Sequence, residues 1–178
     1  MEKPDVTPSE MRDLLKKKHK IKIDLATLSV TLRDVKMDSH GGTISFRHIT
    51  SFFAMLSSIN EGTETSLVCD DGTFKRAFLA LGMCIRASPH TTRVIGIDGC
   101  HVKAGYGGVL LVMTVLDGNC QIFPAALGIA ESENSETWGW FLSLVKNAFH
   151  VCDGGQGLVF LNDREKGIDK SIATTFPN

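Results

Sequence analysis

Apolar positions recur with clear periods after Arg93. Val94 to Ile97 is a short apolar run that closes on an acid, Asp98. Val109 to Leu116 is longer and reads as a strand. Asp117-Gly118 followed by Asn119 is a strong hairpin signal, and Cys120 to Ile129 reads as the return strand. Between Ser135 and Phe149 the apolar residues Trp138, Phe141, Leu142, Val145 and Phe149 fall at helical spacing, with Ser132 or Asn134 as the cap. Gly157 to Leu161 is a further strand, followed by Asn162-Asp163-Arg164. Lys170 to Thr175 starts another helix.

Upstream the pattern is weaker. Thr7-Pro8-Ser9-Glu10 is a capping box with proline at the first helical position, and Met11, Leu14 and Leu15 then share a helical face. Lys16, Lys17, Lys18, His19 and Lys20 close that helix, where positive charge suits its dipole. Asp24 is placed to cap a second helix bearing Leu25, Leu28, Leu32 and Val35. Residues 1–40 therefore read either as a helix-turn-helix-like unit or as a plain helical hairpin with a solvated lysine face. Residues 41–92 read as a connecting region. Ser45 to Ile59 is helical, Ser66 to Cys69 is a short strand, Asp71-Gly72 is a turn, and Phe74 to Leu81 is of undecided type.

The order after residue 92 is strand, strand, strand, helix, strand, helix. It predicts an α/β fold: an antiparallel three-strand meander, a crossover helix, and a fourth strand that returns parallel to the first. The C-terminal ends of strands one and four then share an edge of the sheet, where open sheets bind ligands. Asp98 ends the first and Asp163 follows the fourth. Two adjacent carboxylates repel, and a shared proton or a divalent cation offsets that repulsion. Oxygen ligands without matching histidine or cysteine favour Mg²⁺ or Mn²⁺. Taken singly, Asp98-Gly99 and Asn162-Asp163 also read as ordinary turn or cap residues.

Composition narrows the function classes. The 178 residues are 43% hydrophobic with a formal net charge of -1, so any nucleic-acid surface is local. The five cysteines, Cys69, Cys84, Cys100, Cys120 and Cys152, form no CxxC pair, which argues against a disulfide framework or a zinc site. Cys100 and Cys120 are expected to be small buried hydrophobes. The N-terminus is too polar for a signal peptide, and the run from Val109 to Val115 is too short to cross a bilayer. The chain reads as soluble and intracellular. His101 and Lys103 follow Asp98 closely and, read alone, solvate the glycine-rich corner that follows. Trp138 and Trp140 read as core and surface, not as base-stacking residues.

The stretches VIGIDGCHVKAGYGGVLLVMTVLDGNCQIFPAALGIAESENSETWGWFLSLV and VFLNDREKGIDKSI resemble the Mutator-like element (MULE) transposases. The first holds an Asp-Gly-x-His-x-Lys block, a Tyr-Gly-Gly corner, a hairpin ending near Phe-Pro and a Trp-x-Trp-Phe helix. The second holds an Asp-Arg-x-x-Gly block. The resemblance implies a ribonuclease H-like mixed sheet over 93–178, with the small helical region in front of it, and a DDE-type acidic triad. Asp98 and Asp163 would be its first two acids, its catalytic residues and its metal ligands for Mg²⁺ or Mn²⁺. The family's third acid is a Glu well beyond the second Asp. Glu165 lies too near Asp163, and Glu131, Glu133 and Glu136 precede it, so the domain is expected to be incomplete. The implied parent activity is metal-dependent DNA cleavage and strand transfer at transposon ends in the nucleus, with self-association as in a homo-oligomer. Lys16, Lys17, Lys18, Lys20, His101 and Lys103 are the DNA-contacting candidates. The alternative is a transposase-derived DNA-binding or regulatory protein without catalysis. A stand-alone ribonuclease H-like nuclease is the third reading.

Overall fold

A computed structural model describes residues 7–20, 22, 24–27, 29, 48–102, 107–151, 153–163 and 167–177. The chain separates into two compact units, 1–47 with 104–106, and 48–103 with 107–178.

In the first unit, helix α1 spans Pro8–His19. Thr7 caps it as its sequence predicts: Thr7 Oγ1 accepts from the Glu10 backbone N–H at 3.3 Å, and Glu10 Oε2 accepts from the Thr7 N–H at 2.8 Å. The Thr7 N–H and the Thr7 hydroxyl, both donating to Glu10 Oε2, hold the Glu10 carboxyl below its ordinary range. Asp24 accepts from the Thr27 N–H at 2.8 Å, so the second cap also forms. Leu28, Leu32 and Val35 of the expected second helix lie outside the described residues.

The second unit is a six-stranded sheet with helices. Helix α2 (Ile49–Ile59) leads into β1 (Glu64–Asp70) and β2 (Thr73–Ala80). Helix α3 (Gly82–Ala87) follows, then β3 (Val94–His101), β4 (Val109–Leu116) and β5 (Ile122–Ala130). Helix α4 (Ser135–Ala148), β6 (Val159–Leu161) and α5 (Ile168–Thr175) complete it. The strand order is β1-β2-β5-β4-β3-β6. The meander β3–β4–β5 is antiparallel and β6 pairs parallel to β3, as the element order predicts.

Three features differ from the sequence expectation. Of the segment of undecided type, Phe74 to Leu81, all but Leu81 belongs to strand β2, which pairs with β5 and carries β1 on its outer side. The connecting region thus extends the sheet beyond the four expected strands. Strand β3 runs on past Asp98 because Gly99, Cys100 and His101 pair with Leu111, Leu110 and Val109. Cys100 and Cys120 are exposed, not buried. Cys100 lies near the end of β3, and Cys120 sits in the β4–β5 turn at φ 60°.

The hairpin turn is tied by Asp117, whose Oδ1 accepts from the Asn119 and Gln121 N–H groups, each at 2.8 Å. Pro124 is tolerated inside β5 because β2 pairs only with Ala126 to Ala130. At Pro124 the strand has β4 alone beside it, with a register shift nearby, and a missing N–H costs little at such a place. Along β4 burial alternates: Val109, Leu111, Met113 and Val115 are buried beneath α4. Leu110, Val112, Thr114 and Leu116 take the other face and are only half-buried.

Arg76 on β2 fastens the loop between β5 and α4. Its guanidinium donates to Glu131 at 3.3 Å and to Glu136 at 2.8 Å, and lies 5.8 Å from the centre of the Trp140 ring. The Glu131 hydrogen bond raises the Arg76 pKa further. Burial pushes the Glu131 carboxyl upward, but the Arg76 hydrogen bond and charge outweigh it and hold the group below its ordinary 4.5. A depressed carboxyl adds stability above its unfolded value and loses it as pH falls through the folded one. Wild type is therefore expected to lose stability faster than Arg76→Gln as pH falls below 4.5. Urea unfolding at a series of pH values checks this, and parallel curves would contradict it.

Candidate functional site

The paired positions of β3 and β6 are Val94 with Val159, Ile95 with Phe160, and Gly96 with Leu161. Pairing ends there; extended by two residues, the same register would set Asp98 level with Asp163. Residues at one level of a parallel pair point to the same side. Phe160 points to the helix side, where its ring lies 5.0 Å from that of Phe176. Val159 and Leu161 alternate to the other side and are 51% and 59% exposed. On β3, Ile95 and Ile97 are buried on the helix side, so Asp98 takes the opposite face. Asp98 and Asp163 are both exposed. The residue before Asp163 is tied down, since Asn162 Nδ2 donates to Asp169 Oδ1 in the first turn of α5 at 3.2 Å.

The other candidates are distributed differently. Lys16, Lys17, Lys18 and Lys20 are exposed on α1 or just past its end. His101 is exposed at the end of β3, three residues from Asp98, and alternation turns it to the helix side of the sheet. Lys103 lies outside the described residues, as does Glu165. Trp138 is fully buried in the core, and Trp140 is half-buried beneath Arg76.

Sequence order had set Glu133 aside as a third acid, but the fold brings it to β3. A Cβ built on Gly99 would fall 2.6 Å from Glu133 Oε1. The buried Trp138 indole donates to the same oxygen at 3.1 Å. This contact lies on the helix side, across the strand from Asp98. No spacing rule announces it, because the two segments meet only through the β3–β4–β5 meander. The glycine beside Asp98 is the one local sign that something packs there.

Both aspartates are exposed and carry the oxygen donors that a hard divalent cation takes. Among the described residues no group of three or more His, Cys, Asp or Glu is placed to hold a metal ion. Among the described residues no helix is long and apolar enough to cross a membrane.

No curated protein matches the chain. Residues 94–178, which hold β3 to β6 and both acids, match the family model of the MULE transposase domain. That match supports assigning this part of the chain to the Mutator-like transposase family.

Proposed function

We propose that Asp98 and Asp163 are the first two acids of a DDE-type site on a ribonuclease H-like sheet, serving cleavage and joining of DNA phosphodiesters at transposon ends. The observation that carries this reading is the parallel β3–β6 register, which ends at Gly96 with Leu161 and, extended by two residues, would bring the two aspartates level. The match of residues 94–178 to a transposase family model supports it.

The two carboxylates would hold Mg²⁺ or Mn²⁺. When bound, such an ion supplies Lewis-acid polarisation of a phosphoryl oxygen and an activated water or hydroxyl. The protein's part is to keep two like charges at one level, on a face open to a DNA backbone. Two-ion mechanisms place their metals roughly 3.5–4 Å apart and stabilise both the attacking and the leaving oxygen. The described residues supply two carboxylates, enough for one of those ions. The 178-residue protein is therefore expected to nick supercoiled DNA slowly or not at all in Mg²⁺. Fast nicking that disappears in Asp163→Ala would show that these two acids suffice, and would overturn the triad reading.

For residues 1–40 we propose a DNA-contacting role through Lys16, Lys17, Lys18 and Lys20. Four phosphate contacts would give log K a slope of about −3 to −4 against log salt. Replacing the four lysines by glutamine is expected to remove most of that slope in a fluorescence-anisotropy titration. Salt-insensitive binding would leave only a solvated lysine face.

A further inference from the structure

The loop between β5 and α4, with the first residue of α4, touches both β3 and the start of α5. Toward β3, the Glu133 carboxylate packs against Gly99, the neighbour of Asp98. Toward α5, Ser135 approaches Gly167: a Cβ there would fall 2.9 Å from Ser135 Cα, and Gly167 has φ 102°. The Ser135 carbonyl also accepts from Ser171 Oγ at 3.0 Å. The loop itself is held at several points. Arg76 grips Glu131, Asn134 Nδ2 donates to Ser132 Oγ at 2.9 Å, and Asn134 Oδ1 caps α4 through the Thr137 N–H at 2.9 Å. Trp138 then fixes Glu133 from the core side.

The acids need such support. Their charges repel, and β6 offers only three paired positions, ending at Leu161, two residues short of Asp163. A half-buried carboxylate, hydrogen-bonded by a buried indole, would be an odd choice for simple packing. Its contact falls on the backbone beside Asp98 and on the face away from the metal side, which excludes it as a ligand of the same ion.

We propose that Glu133 is a positioning residue for Asp98: wedged between the Trp138 indole and Gly99, it sets the level at which Asp98 meets Asp163. This rests on the reading of those two aspartates as a divalent-cation site. Its action is steric and through the Trp138 hydrogen bond, not through its charge on the ion. An amide of the same shape therefore serves as well as the carboxylate.

The test is Mn²⁺ affinity of the purified 178-residue protein, followed by electron paramagnetic resonance, with thermal melts of each variant alongside. Glu133→Ala is expected to weaken Mn²⁺ binding about tenfold, the low end of what losing an outer-shell partner costs a metal site. Glu133→Gln is expected to bind within about twofold of wild type, a change too small to mark a lost partner. Gly99→Ala, whose methyl displaces the carboxylate, is expected to behave like Glu133→Ala and carries the test if the latter does not fold. Unchanged affinity in Glu133→Ala and Gly99→Ala, whatever their melting temperatures, would overturn the proposal while leaving the two-aspartate site standing. Equal losses in Gln and Ala variants would also overturn it, since charge would then be the agent. Asp98→Asn separates the two levels: if it binds Mn²⁺ as well as wild type, the site reading fails and this proposal fails with it.

Discussion

Asp98→Asn and Asp163→Asn are each expected to lower Mn²⁺ affinity by about a hundredfold. Losing an outer-shell partner alone costs roughly 10–100-fold, and these residues are placed to be direct ligands. Asparagine keeps the size of the side chain and one oxygen donor, but removes the charge that offsets the ion's dehydration. Both aspartates are exposed, so neither substitution opens a cavity. The metal-free variants should be as stable as wild type or slightly more so, because one of two repelling charges is gone. Isothermal titration with Mn²⁺ and urea unfolding without it check the two halves. A variant that binds normally, or that loses binding only because it unfolds, would contradict this.

The largest stability effect is expected at Phe141. Its side chain is fully buried, edge-on to Phe78 at 5.7 Å and to Trp138 at 5.9 Å. It also fills the space above Gly128, where a Cβ would fall 2.8 Å from the ring. Phe141→Ala loses the transfer free energy of the ring and leaves a cavity under the centre of α4. The expected cost is about 3–5 kcal/mol. That is a large part of the roughly 5–15 kcal/mol that holds a domain together. Gly128→Ala alone should destabilise by overpacking, about 1–3 kcal/mol. In the double variant the new methyl enters the vacated space, so the loss should be smaller than the sum of the single losses. Additive losses by chemical denaturation would show that the two positions do not share that space.

The parts of the fold written in local pattern were the legible ones. Val109 to Leu116 is an apolar run broken only by Thr114 and Asp117-Gly118 marks its turn, so β4 and the hairpin appear as read. The stripe Trp138, Phe141, Leu142 and Val145 became the buried face of α4. The parallel return of β6 beside β3 followed from element order alone. Strand β2 resisted because Thr73 to Ala80 mixes Lys75 and Arg76 among apolar residues without a period of two, and its partner β5 lies far along the chain. Cys100 misled because its exposure depends on which face of β3 the helices leave open. Glu133 was set aside as a third acid because it precedes Asp163 in the chain. Its contact with Gly99 is a product of tertiary folding that no window of sequence contains.

The central claim is that Asp98 and Asp163 share one divalent cation, and Mn²⁺ anomalous diffraction from crystals of the protein tests it most directly. The expected result is a single strong anomalous peak on the face of the sheet away from α4, at coordination distance from a carboxylate oxygen of each aspartate. No peak there in Mn²⁺-saturated crystals, or the two carboxylates on opposite faces of the sheet, would contradict it.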